Sequence, residues 1–368
     1  MKWYEVNNVE GIDSPALLIY PDRIKKNIQI MLSMVENNPK RLRPHVKTYK
    51  MAEVVELQME AGINQFKCAT IAEAEMLGEA GARDVLLAYQ PVGPKIDRLF
   101  HLIANYPGTI YSTLIDNVNT ARSLSQKGNN QGFVLDVYID IDSGNHRTGI
   151  DCDKAYNLYK ECQSLPGIRI CGLHAYDGHL RQTDMKERKL ACDEGFKPVA
   201  ELRQKILNDF DQELIIVAGG SPAFPCHAPR GDEVVCSPGT CLLWDWGYHA
   251  ILPESQFEFA ALVLTRVISK VGKDRITLDL GHKSIASENP FPRVHFLNLE
   301  VGEQISHSEE HLVLHVGDNS AFQIGDTFYG VPIHICPTCA LYNEAHVVQD
   351  GHWHESWNII ARTRKITV

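Results

Sequence analysis

Between about residues 40 and 240, short apolar and β-branched runs alternate with longer segments of helical periodicity, and this rhythm restricts the chain to a parallel α/β architecture. The runs are LRPHVK (42–47), FKCA (66–69), VLLAY (85–89), IYSTLI (110–115), VLDVYID (134–140), IRICGLHAY (168–176), LIIVAGG (214–220) and EVVCS (233–237). Segments between them, such as MAEVVELQMEAG and IAEAEMLGEAG, repeat apolar residues at three and four positions and end in glycine, as a closing helix does. Eight such units are what a (β/α)8 TIM barrel requires. A further run, ALLIY (16–20), is surplus to the barrel, and a helix follows it from Pro21. After residue 255 the helical period gives way to FEFAALVLTRVISK, RITLDLG, HLVLHV, TFYGVPIHICP and WNIIARTRKITV, which are expected to be strands of a C-terminal all-β domain. The expected division is a barrel over residues 12–243 and a β domain made of 1–11 plus 244–368.

Charge and cysteine content narrow the function. A formal net charge of −10 with pI ≈ 5.9 and no long basic run excludes a nucleic-acid partner, because phosphate backbones are held by clustered Lys and Arg. No stretch approaches the ~20 apolar residues of a membrane span and the N-terminus lacks a leader-like apolar segment, so a soluble, cytoplasmic protein is expected. Ten cysteines in a long, unexported chain fit buried thiols in a reducing compartment. Cys336 and Cys339 of HICPTC, beside His334, stand apart from these.

Catalytic groups of such barrels gather at the C-terminal strand ends. Lys47 ends the first run, Arg147 follows the fifth in DIDSGNHRTG, and Tyr176 follows the sixth in HAYDGH. Gly219, Gly220 and Ser221 follow the seventh, and Gly239 and Thr240 the eighth. Taken singly, each glycine turn reads as an ordinary βα turn. Together, glycines next to hydroxyls let backbone N–H groups close on a phosphate. Lys47 lies among Arg43, His45 and Lys50, whose charges and burial favour a nucleophilic amine. Lysine, phosphate cradle and arginine at one mouth suggest pyridoxal 5'-phosphate (PLP).

At these residues the chain resembles the fold-type III PLP enzymes, the alanine racemase-like barrels, and within them the D-threonine aldolase and D-serine dehydratase family. The resemblance covers nearly the whole chain and rests on RPHVKTYK, KCATIAEAEML, DVLLAY, DIDSGNHRTG, GLHAYDGH, AGGS, SPGT and PIHICPT. It implies that Lys47 carries the cofactor, that Arg147 meets its ring oxygen and that Tyr176 packs near the ring. It also implies a head-to-tail homodimer and a divalent metal on His334 and Cys336. An imidazole with a thiolate suits Zn²⁺, with Mn²⁺ or Mg²⁺ as alternatives. The competing reading of that pair is a buried couple sharing one face of a strand. Cys339 reads as a bystander, and His346, His352 and His354 as exposed loop histidines. Tyr49 departs from the family's usual histidine, which leaves the substrate side chain open.

The implied activity is that of a lyase on D-3-hydroxy amino acids. Retro-aldol cleavage would give glycine and an aldehyde, while elimination would give a 2-oxo acid and ammonia. His45, His179 and Asp177 are the candidate proton-transfer groups. A PLP racemase and a non-catalytic PLP-binding protein are the alternatives; HICP weighs against the first and the long β domain against the second.

Overall fold

The computed structural model describes residues 2–368. The chain forms two compact units, one of Gln29–Lys47, Val55–Gly239 and Thr363–Val368, the other of residues through Ile28, Thr48–Val54 and Thr240–Arg362.

The first unit is built on seven parallel strands in sequential order: Gln65–Cys68, Asp84–Leu87, Ile110–Ile115, Leu135–Ile141, Ile168–Ala175, Ile215–Ala218 and Val234–Cys236. Helices cover both the gaps between strands and their apolar outer faces, as right-handed crossovers demand. Local chemistry sets their starts. Thr70 caps Ile71–Glu79 by accepting from the Glu73 N–H at 3.1 Å, and the Glu73 carboxylate accepts in return from the Ala69 N–H at 2.6 Å. Asn117 caps Val118–Asn130 through the Thr120 N–H at 2.9 Å.

The eighth place in the ring departs from expectation. Residues 42–47 do not form a regular strand, because Pro44 has no N–H to give a ladder. They nevertheless lie between the first and last strands. On one side the Arg43 N–H donates to Cys236 O (2.8 Å) and the His45 N–H to Pro238 O (2.9 Å); on the other the Lys67 N–H donates to Pro44 O (2.9 Å). Isolated parallel bridges pair Leu42 with Cys236 and His45 with Lys67, which closes the barrel. The chain then turns through a short 3-10 helix, Val46–Thr48, that carries Lys47. Arg43 fastens this segment: its buried guanidinium donates to both oxygens of Asp84 (2.6 and 2.8 Å) and to Gln65 (2.8 Å).

The chain's end also differs. The last strand stops at Asn358, a 3-10 turn covers Ile360–Arg362, and the remaining residues are held by side chains instead of a ladder. Buried Glu75 accepts from the Thr367 N–H (2.9 Å) and the Val368 N–H (3.2 Å), while Arg98 donates to Val368 O at 2.7 Å.

The second unit is a mixed sheet of nine strands. Ala16–Ile19, surplus to the barrel, pairs antiparallel with Ala261–Val271 and parallel with Glu344–Gln349. Two short strands, Val294–Phe296 and Glu303–His307, have no clear signal in the sequence. The hairpin of Glu344–Gln349 and His352–Asn358 carries His346, His352 and His354, so these are strand residues and not loop histidines. Thr327–Pro332 ends before HICPTC, which instead forms the short helix Ile335–Cys339. None of the described helices is long and apolar enough to cross a membrane.

The Arg43–Asp84 pair generates an asymmetric prediction. Asp84→Ala leaves a buried guanidinium without its carboxylate and is expected to cost about 3–5 kcal/mol of folding stability. Arg43→Met leaves only Asp84, whose side chain is 31% exposed and can hydrate, so its loss is expected to be about half as large. Urea unfolding of both variants measures this; equal losses contradict it.

Candidate active site

Strand alternation places Lys67 on the opposite face from Phe66 and Cys68 and aims it at the barrel interior, where His174 and Tyr176 arrive from another strand. Three cations surround the Tyr176 ring. Lys47 Nζ and Lys67 Nζ each lie 5.5 Å from its centroid, and the Arg147 guanidinium carbon lies 4.9 Å away. Lys47, Arg147 and Tyr176, expected from the sequence to share one mouth, are therefore brought together. Lys47 and Tyr176 are half-buried, and Arg147 is exposed.

Below the ring the groups are fully buried. Lys67 Nζ donates to His174 Nε2 at 3.4 Å, and His174 Nδ1 donates to Asp140 Oδ1 at 2.7 Å. Burial and then the adjacent Lys67 charge hold the His174 imidazole below its ordinary pKa, against the pull of Asp140, so it stays neutral. Burial and then Lys47 push the Lys67 amine down to about 7, with Asp177 and Asp140 opposing and Arg147 assisting. No local motif marks Lys67; a cation between two apolar strand residues is its only sign.

The glycine turns lie beside this cluster. Gly219 takes φ +72°, and a Cβ on Gly220 would come within 2.9 Å of the Tyr176 ring, so backbone and ring meet closely there. The Gly239 N–H donates to Ser221 Oγ at 3.3 Å, which joins the two turns. Ser237, whose N–H donates to Ala218 O (2.9 Å), has a buried hydroxyl with no partner among the described residues. Glycine backbone, an open hydroxyl and surplus cations fit a phosphorylated aromatic ligand. The turn is braced from behind: Asp177 accepts from the Gly220 N–H (3.1 Å) and from His227 Nε2–H (2.6 Å). Burial would raise the Asp177 carboxyl, but His227 and the Gly220 N–H outweigh it and hold it below the ordinary value.

Asp177, Cys192 and His227 are all buried, with ligand-type atoms within 4.8 Å of one another. Arg230 Nε–H donates to His227 Nδ1 at 3.1 Å, so the ring's proton sits on Nε2 and is spent on Asp177. Cys192 Sγ lies 3.2 Å from the same nitrogen. This trio forms a hydrogen-bonded brace.

Of the expected proton-transfer residues, His45 is buried and its Nδ1 accepts from the Lys47 N–H at 3.2 Å. His179 is exposed and lies over Gly144.

In the other unit, His334 immediately precedes the short helix Ile335–Cys339 without a side-chain capping bond and is followed two residues later by Cys336, both half-buried. A helical turn, not a strand, joins the pair. His334 Nδ1 meets Glu288 Oε1 at 2.5 Å, so of its two ring nitrogens Nε2 is the one a metal could use. Cys336 Sγ lies 3.2 Å from the Thr48 hydroxyl and 3.4 Å from that of Thr240, which therefore belongs with the thiol. Burial lowers the His334 pKa, but Cys336, Glu288 and Asp245 outweigh it and raise it to about 9. Cys339 is buried, and burial raises its thiol well above the ordinary value, which removes it as a ready thiolate.

Comparison with known proteins agrees with this layout. Residues 19–243 match the alanine racemase N-terminal domain model, and residues 260–348 match the putative serine dehydratase domain. A D-threonine aldolase from Arthrobacter sp. is 28% identical over 360 residues, 95% of this chain and 93% of that protein. D-threo-3-hydroxyaspartate dehydratase from Delftia sp. (strain HT23) is 31% identical over 225 residues, 61% of this chain and 59% of that protein. The crystal structure of D-threonine aldolase from Filomicrobium marinum superposes with a TM-score of 0.86 at 26% identity, covering 95% of each chain.

Lys67 yields a pH prediction whose sign is fixed. Its folded pKa of about 7 lies below the ordinary value of about 10.4, so the unfolded chain holds more protons between those limits. This contribution makes stability rise with pH across that window, and its cost is fully present below pH ~7. Lys67→Met is expected to flatten the rise and to stabilise the fold near pH 6 by up to roughly 4 kcal/mol. Unfolding measured from pH 6 to 10 checks this, and a variant that is less stable at pH 6 contradicts it.

Proposed function

The chain belongs to the alanine racemase N-terminal domain family, and from that premise we propose that it is a PLP-dependent lyase acting on D-3-hydroxy amino acids. The observation that carries this reading is the convergence of Lys47, Lys67 and Arg147 on Tyr176 beside the Gly219–Gly220 turn. Its support in the comparisons is that the full-length relatives matched include a D-threonine aldolase and 3-hydroxy-D-aspartate aldolases.

PLP, when bound, supplies an electron sink for negative charge generated at the substrate Cα. In this reading Lys47 carries the cofactor and holds or returns a proton at the Cα position. Arg147 and Tyr176 orient its ring. The Gly219–Gly220 and Gly239 turns, whose glycines let the backbone approach closely, and the Ser221 hydroxyl lie against its phosphate, while the Thr240 hydroxyl, next in sequence, stays with Cys336. Buried His45 or exposed His179 moves the second proton. His334 and Cys336 hold a divalent ion, with Zn²⁺ the best match to an N/S donor pair and Mn²⁺ or Mg²⁺ as alternatives; that ion supplies a Lewis acid for the 3-hydroxyl. The family resemblance associates a His/Cys pair with elimination to a 2-oxo acid and ammonia, and a soft thiolate suits zinc. Retro-aldol cleavage is the second reading, favoured by the end-to-end similarity to D-threonine aldolase. We place the enzyme in the cytoplasm as a homodimer, a setting that suits its ten free cysteines, seven of them buried.

The test offers D-serine, D-threonine and D-3-hydroxyaspartate to the PLP- and zinc-loaded protein and assays glycine and 2-oxo acid in parallel, with and without EDTA. Either product, lost on chelation and reduced at least about a thousandfold in Lys47→Ala, is the expected result. Inverted amino acid insensitive to EDTA contradicts the reading and favours a racemase. Cys336→Ala is expected to retain PLP but to lose zinc, measured by elemental analysis after gel filtration; a full zinc complement contradicts the assignment of that ligand.

A further inference from the structure

We propose that Lys67 is a positioning residue of the reaction: through the hydrogen-bonded chain Lys67–His174–Asp140 it gives the barrel floor beneath Tyr176 a charge that switches with pH, and so sets the protonation of the nitrogen carried by Lys47. The proposal rests on the reading of Lys47 as the cofactor-bearing lysine.

The geometry shows why Lys67 is more than a packed side chain. It is 2% exposed, and its amine makes one long hydrogen bond, 3.4 Å, to a neutral imidazole, with no carboxylate in direct contact. A methionine would fill that space at lower cost, since an amine taken out of water needs a close partner to offset the loss. What its position does offer is proximity to chemistry. Lys67 and Lys47 lie at equal distances from one aromatic ring, and Lys67 pairs across the barrel closure with His45, two residues before Lys47.

The groups that face Lys67 come from every neighbouring element. Lys47 approaches from the turn after the ring closure, and Asp140 from the strand Leu135–Ile141. Arg147 comes from the loop beyond that strand; His174, Tyr176 and Asp177 come from Ile168–Ala175 and the turn after it. Two of these, Lys47 and Arg147, are basic side chains, and both carboxylates are already bonded to a histidine. When Lys67 takes up its proton it adds another positive charge to this group. Like charges gathered on one aromatic ring resist each other's protonation, so the nitrogen on Lys47 becomes harder to protonate once Lys67 is charged and easier once it is neutral. The two sites then titrate as a pair across a broadened pH range. Burial and Lys47 bring the Lys67 amine down to about 7, which puts this exchange near neutrality.

The test compares wild type with Lys67→Met, which never carries the charge, and Lys67→Arg, which always does. The first readout is the pH titration of the PLP-loaded protein's absorbance near ~420 nm, where lysine-attached PLP absorbs. The titration midpoint is expected to lie higher in Lys67→Met than in Lys67→Arg by about one pH unit. Wild type is expected to follow the Arg variant in acid and the Met variant in alkali. The second readout needs no cofactor: in protein with ¹³C-labelled lysine, one side-chain resonance is expected to titrate near 7, to vanish in Lys67→Met and to move in His174→Gln, which cuts the chain to Asp140. Three superimposable absorbance titrations, or no lysine titrating below pH ~9, would overturn the proposal. Failure of wild type to take up PLP overturns the cofactor reading instead, and is told apart from failure of this one because the lysine resonance is measured without cofactor.

Discussion

Closure of the barrel by a segment that cannot be a strand is the constraint from which the site follows. Pro44 breaks the ladder where the ring must join, so the chain is held there by three backbone hydrogen bonds, two to the last strand and its turn and one from the first strand. The Arg43 guanidinium, fixed to Asp84 and Gln65, supplies the lateral hold that a ladder would have given. Freed from strand geometry, the chain turns at once into Val46–Thr48, and Lys47 leaves the wall of the barrel at its mouth. His45, locked in the closure, accepts from the Lys47 N–H and fixes the direction of that departure.

A second consequence is electrostatic. The ring brings cations from three elements onto Tyr176, while its two nearest buried carboxylates, Asp140 and Asp177, are each committed to a histidine. Such a cluster is costly to fold without an anion, and the adjoining glycine turns leave room for one to approach the backbone closely. The two histidine–aspartate pairs divide the work: His174–Asp140 supports the lysine side, and His227–Asp177 supports the Gly220 turn. Buried polar networks of this kind specify one arrangement only when every member is bonded, and here each histidine uses both ring nitrogens.

Much of this was legible in the residues, for identifiable reasons. Seven of the eight barrel runs coincide with strands to within two or three residues, because buried parallel strands are continuous apolar runs that few other structures imitate. The eighth, 42–47, takes its place in the ring without being a regular strand, since Leu42 and Val46 give it a strand-like look that hides the effect of Pro44. The β domain is less legible. Val294–Phe296 and Glu303–His307 are too short to show a period, and the terminal histidines alternate on a hairpin whose polar exposed face resembles a loop. PIHICP reads as strand because Ile333 and Ile335 alternate with polar residues, although Pro332 ends the ladder and His334 starts a helical turn. Lys47, Arg147, Tyr176 and the glycine turns could be found from strand ends. Lys67, His174 and His227 could not, because a partner inside a barrel is fixed by which strands face each other, and no local spacing records that.

The most direct measurement is where PLP attaches. Incubation with PLP, reduction with borohydride and peptide mass mapping would locate a stable phosphopyridoxyl group. The account predicts modification of Lys47 in the peptide containing RPHVK, with buried Lys67 unmodified. Attachment to Lys67, or to surface lysines alone, would contradict it.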